Sequence, residues 1–128
     1  MIYFSNDKSN VLKIVFKMLQ CGYSEEIDMD KEFKEFCKLA LDTWGEDAQI
    51  RMCIEEMSEL TKELCKYMRT LRNENVDVSK LEEVKTNIIE ETADVLNCVE
   101  QMALIFGEEK VNVIRKQKVD RCTKIIRG

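Results

Sequence analysis

Proline is absent from this 128-residue chain, and glycine occurs only four times. Both residues punctuate structure: proline stops helices and glycine serves tight turns. With so few of either, long helices run uninterrupted and strand-and-turn architectures are disfavoured. The length supports one domain with a hydrophobic core, not two. Hydrophobic residues at 45% and charged residues at 35% place the chain with globular proteins rather than disordered ones.

The hydrophobic spacing predicts five helical segments. The first covers roughly 10–20, with Ser9 as cap and Val11, Leu12, Val15, Phe16 and Leu19 on one face. The second, about 31–44, is capped by Asp30, turns Phe33, Phe36, Cys37, Ala40 and Leu41 inward, and closes at Gly45. The third runs from about Asp47 to Arg72 and ends in the polar turn NENVDVS. Ser79 and Glu82 form an S-x-x-E capping box for the fourth, about 80–106, which Gly107 ends. The fifth covers about 109–126. The expected fold is all-α: an antiparallel bundle with a four-helix core plus an extra N-terminal helix. Residues 1–128 are read as one domain, with 1–30 an extension and 31–126 the bundle.

Several function classes are disfavoured. A net charge of −5 is wrong for a nucleic-acid binder, which normally presents a basic face. No apolar run reaches the ~20 residues of a membrane span, and MIYFSNDKSN does not read as a signal peptide. There is no histidine, so histidine-based triads are excluded. The six cysteines form no CxxC pair, which argues against zinc and for a reduced, cytoplasmic protein. Several lie on or beside apolar faces, where a free cysteine acts as a small hydrophobe.

The acids carry the chemical signal. In IEEMSELTKEL, at 100° per residue, Ile54, Met57, Leu60, Leu64 and Met68 share one arc and are expected to be core. Glu56 lies at its edge, Glu59 further out, and Glu55 and Glu63 on the outer side. A glutamate-rich outer face is ordinarily just solvated. The fourth segment is different. Its stripe is Val84, Ile88, Val95, Val99, Met102 and Phe106, and Glu91 projects within about 20° of Val84 and Met102, with Asp94 one turn on. Acids beside an apolar arc are costly unless they are paired or bind a cation.

Folding the two segments back on each other near Asn75 brings these acids level. Glu59 and Glu91 each lie 16 residues from Asn75, and Glu56 and Asp94 each lie 19. Four converging carboxylates need a counter-charge, and an all-oxygen set suits Mg²⁺ or Mn²⁺. In the fifth segment Lys118 falls within the arc of Val111, Ile114, Cys122, Ile125 and Ile126, and Arg121 borders it. Such a pair either snorkels to water or grips phosphate oxygens.

EEMSE (55–59) followed by EETAD (90–94) resembles the EExxE…ExxD signature of MazG-like all-α nucleoside triphosphate pyrophosphohydrolases. WGEDAQI (44–50), KYMR (66–69) and QKVDR (117–121) resemble its supporting segments. The resemblance covers about 31–126; the link between the acidic motifs is long for the family, and the first 30 residues match no part of it. It implies a Mg²⁺-dependent enzyme, with Mn²⁺ an alternative, that cleaves an NTP or dNTP to the monophosphate and pyrophosphate, in a house-cleaning role. Glu56, Glu59, Glu91 and Asp94 would hold the metal; Glu55 would take a proton or support the ligands. Lys118 and Arg121 would bind phosphates, Trp44 would stack on a base or simply pack, and Gln49 would touch the nucleotide. Assembly as a homodimer or homotetramer is implied, with sites drawing on more than one subunit. The competing reading is a non-catalytic helical interaction or oligomerisation module whose acids are surface charge.

Overall fold

The computed structural model describes residues 29–128, and the segment expected at 10–20 lies outside them. Three helices account for nearly all of the described chain: α1 (Met29–Leu71), α2 (Val78–Phe106) and α3 (Glu108–Arg127). None is long and apolar enough to cross a membrane.

α1 joins the second and third expected segments across a break. Gly45 has φ 83° and ψ 165°, a backbone state that L-residues rarely adopt. A Cβ there would meet nothing within 4 Å, so conformation and not space calls for glycine. The break decides where the first arm goes. In the second arm Glu63 faces Asn87 of α2; each step back along α1 matches a step forward along α2. A straight helix would carry Cys37 past the end of α2. Instead the first arm turns, so that Cys37 lies near Glu100 and Phe33 and Lys34 share a groove with Leu96, Val99 and Leu104. Cys37 and Ala40 are buried there, and Phe33, Phe36 and Leu41 are half-buried, as the spacing predicts.

The cap of α2 differs from the expected capping box. Asp77 is the N-cap: its Oδ1 accepts from the backbone N–H of Ser79 at 3.0 Å and of Lys80 at 3.3 Å. A carboxylate at this position satisfies two otherwise orphaned donors and meets the positive end of the helix dipole. The helix therefore begins two residues before Lys80. Gly107 ends it, as expected, with its N–H bonded to the Ala103 carbonyl at 2.9 Å.

The faces differ more. Ile54, Met57, Leu64 and Met68, expected in the core, are 57%, 43%, 45% and 52% exposed. Val99 and Phe106, expected in the stripe of α2, are also exposed. The inward line of the second arm is instead Gln49, Cys53, Glu56, Leu60 and Glu63, spaced 4, 3, 4 and 3. Burial of α1 against α2 selects this polar line and leaves the apolar one outside. α3 has no buried residue among those described. Its start meets the rest of the fold through the Lys34–Glu108 ion pair at 3.4 Å and the shared groove. Its expected inner residues Ile114, Ile125 and Ile126 are exposed.

Candidate metal centre

The polar line has partners on α2. Cys53 acts on Cys98, Asp94 on Glu56, and Glu59 on Glu91, while Glu63 is hydrogen-bonded to Asn87. Helical periodicity makes such a line of rungs: residues 3 and 4 apart fall on one face, on both helices.

Three carboxylates meet at the middle of the line. One oxygen each of Glu56, Glu59 and Glu91 lies within 4.8 Å of the others, and all three residues are half-buried. Asp94, also half-buried, stands beside this trio, and its charge acts on Glu56. Burial raises the Glu56 carboxyl to about 7, and the neighbouring Asp94, Glu91, Glu59 and Glu55 add to the rise. Glu91 is pushed up by burial and then by Glu59 and Asp94. Asp94 is raised by burial, then by Glu90 and Glu59. One oxygen of Glu91, Oε2, is shielded from solvent and has no hydrogen-bond partner. Crowded, desolvated acids of this kind are stable only protonated or with a cation between them. The donor set is all oxygen, which fits a hard divalent cation.

Glu63 behaves differently from its expected outer position. It is 4% exposed, and it is the one glutamate buried among the described residues. Lys66 Nζ donates to its Oε1 at 2.6 Å and Asn87 Nδ2 to its Oε2 at 3.3 Å. The Lys66 hydrogen bond, against the opposing effect of burial and with the help of Asn87, holds this carboxyl below its ordinary value. The reason for the correction is a rotation: the inward face is centred on Cys53 and Glu56, not on Ile54 and Met57, and Glu63 falls on it. Spacing alone held a signal, since Glu56, Glu59 and Glu63 are 3 and 4 apart like any buried stripe.

The other expected site residues are not gathered here. Glu55 is exposed, next to Glu56. Gln49 is fully buried on the same line, two turns from Glu56, with neither amide atom hydrogen-bonded; its amide has no surface open to a ligand. Trp44 is 43% exposed just before the Gly45 break. Lys118 and Arg121 are exposed on α3, which does not pack on the second arm of α1.

The buried thiols are inert. Burial raises Cys98 to about 12 and Cys37 to about 11, and it also raises Cys53. All three stay protonated near neutral pH and serve as small hydrophobes. The chain matches no protein-family model, no curated protein and no solved structure.

Proposed function

We propose that this chain is a divalent-cation-dependent nucleotide pyrophosphohydrolase of the MazG-like kind, acting in the cytoplasm on an NTP or dNTP. The observation that carries the reading is the meeting of Glu56, Glu59 and Glu91 oxygens within 4.8 Å, one glutamate having an orphaned buried oxygen. Glu56, Glu59 and Glu91 would hold Mg²⁺ or Mn²⁺, with Asp94 completing the acidic set. A bound cation supplies charge neutralisation for the triphosphate and lowers the pKa of a coordinated water. In the hydrolysis, water oxygen bonds to the α-phosphorus, the bond from that phosphorus to the bridging oxygen breaks, and pyrophosphate leaves with the electron pair. Glu55, exposed beside the cluster, takes the proton of the attacking water or supports the ligands.

The phosphate-binding pair Lys118 and Arg121 fits this reading through a second copy. Among the described residues, five hydrophobic side chains are buried and eighteen large ones are exposed, so the described residues of one copy do not close a core by themselves. A homodimer or homotetramer in which antiparallel α1 and α2 arms complete a four-helix core would cover Ile54, Met57, Leu64 and Met68. It would also let α3 of one copy serve the carboxylates of another.

The test is a panel of canonical and modified NTPs and dNTPs incubated with the full chain and Mg²⁺, with pyrophosphate measured. Release from at least one member is expected. Folded protein that releases none from any member rules the reading out. Glu59→Gln and Asp94→Asn should each abolish turnover with little change in helicity.

The same exposed apolar face favours a second reading, a non-catalytic helical interaction module. Thermal melting with and without Mn²⁺ separates the two. A clear rise in the midpoint shows a real cation site, whereas an unmoved midpoint leaves the module.

A further inference from the structure

We infer that the Glu63–Asn87 hydrogen bond is a register clamp that positions Glu91 against Glu56 and Glu59, making Asn87 and Glu63 positioning residues for the cation site. The inference rests on the metal-centre reading above. Glu63 lies four residues after Glu59 on α1, and Asn87 lies four residues before Glu91 on α2. The bond between them, 3.3 Å long, therefore sits one turn from the carboxylate cluster on both helices at once.

The cluster cannot set this register for itself. Its rungs bring acid to acid, so when ionised and without a cation they push the helices apart or out of step. The Glu63–Asn87 rung brings an acceptor to a donor, with Glu63 buried and Asn87 half-buried. A slip of one turn in one direction would set buried Glu63 against Glu91, charge against charge. The opposite slip would set Glu59 against Asn87 and draw Glu59 away from Glu91. Only the observed register satisfies Glu63 and gathers the three oxygens. A single buried polar pair is known to fix helix register in this way, because each alternative leaves a polar group unpaired. Lys66, bonded to the other oxygen of Glu63 at 2.6 Å, keeps that glutamate ionised and able to accept from Asn87.

The experiment is a Mn²⁺ titration of the full chain followed by electron paramagnetic resonance, in wild type, Asn87→Ala, Glu63→Gln and the double variant Glu63→Leu/Asn87→Leu. Alanine keeps the helix of α2. Leucine in both places removes the clamp while leaving no buried polar group, so the double variant folds even where a single one is weakened. Loss of Mn²⁺ affinity of about tenfold is expected for Asn87→Ala and for the double variant, the size seen when a group supporting metal ligands is removed. Glu63→Gln keeps an acceptor for Asn87 and should stay within about threefold of wild type. Failure of wild type to bind Mn²⁺ would overturn the metal-centre reading itself. Wild-type binding with undiminished affinity in the folded double variant would overturn the clamp alone, even if the thermal midpoint of Asn87→Ala falls.

Discussion

Glu63 and Glu91 lie in the same helix–helix seam with opposite electrostatic fates. Glu63 is the more buried, yet its carboxyl is held below its ordinary value, because Lys66 and Asn87 donate to its two oxygens. Glu91 is less buried, yet its carboxyl is raised, by burial first and then by the neighbouring Glu59 and Asp94, and its Oε2 has no hydrogen-bond partner. Burial alone does not decide whether a carboxylate is costly. What decides is whether the facing helix offers a donor or another acid. The first rung is satisfied within the fold, and the second is the one proposed to hold a cation.

The largest expected effect addresses the second rung. Glu91→Gln keeps the shape and removes the charge, so pyrophosphate release should fall on the order of 100-fold or more, the scale on which charge-bearing catalytic groups act. Turnover near wild type would erase the difference drawn between the two rungs.

Stability should respond with opposite signs. Glu63→Leu leaves Asn87 without its acceptor and is expected to cost about 1–3 kcal/mol, read in urea titration. Glu91→Leu, without divalent cation, removes an acid crowded by acids and should raise the thermal midpoint. A fall in both variants would mean that the two carboxylates are equally satisfied.

The pH dependence sharpens the contrast further. Glu56 at about 7, against an ordinary 4.5, holds its proton more tightly folded than unfolded. Its contribution to stability is complete below 4.5 and is lost as pH rises to about 7; Glu91 and Asp94, also raised, act in the same direction. Glu63, lowered from 4.5, contributes above that value and loses its contribution as pH falls through its folded value. Melting in chelator should therefore show a midpoint falling by on the order of 5 °C between pH 5 and 7.5. Mn²⁺ or Glu56→Gln should flatten that fall, and Glu63→Gln should leave it in place.

The smallest effect belongs to exposed pairs outside the seam. Arg51–Asp47 and Lys116–Asp120 are ion pairs at 2.7 and 2.8 Å on open surface. Breaking either should change stability by about 0.5 kcal/mol or less. A larger change at Lys116–Asp120 would show that this part of α3 is covered in the assembled protein.

Local signals were readable where the interaction itself is local. Gly45 and Gly107 mark breaks because glycine takes up the positive-φ backbone conformations found there without steric cost. The cap of α2 was displaced by two residues because Asp77 and Ser79 are both good caps, and only the path of the chain chooses between them. The facing of Glu59 with Glu91 and of Glu56 with Asp94 was readable from equal distances to Asn75. The position of Glu63 was not. The 3–4 spacing is shared by two lines about 100° apart on the same helix, one apolar through Ile54 and Met57, the other polar through Cys53 and Glu56.

The sequence by itself determined that the chain is helical, where its helices break, and which acids could come level. These follow from backbone propensity and from the constant rise per residue, which act within a segment. Only the tertiary structure decided that α1 turns its polar line to α2, burying Glu63 and gathering Glu56, Glu59 and Glu91, while the apolar line and the length of α3 stay outside. A helix carries its faces with it, but the surface it packs against selects the one that becomes the site.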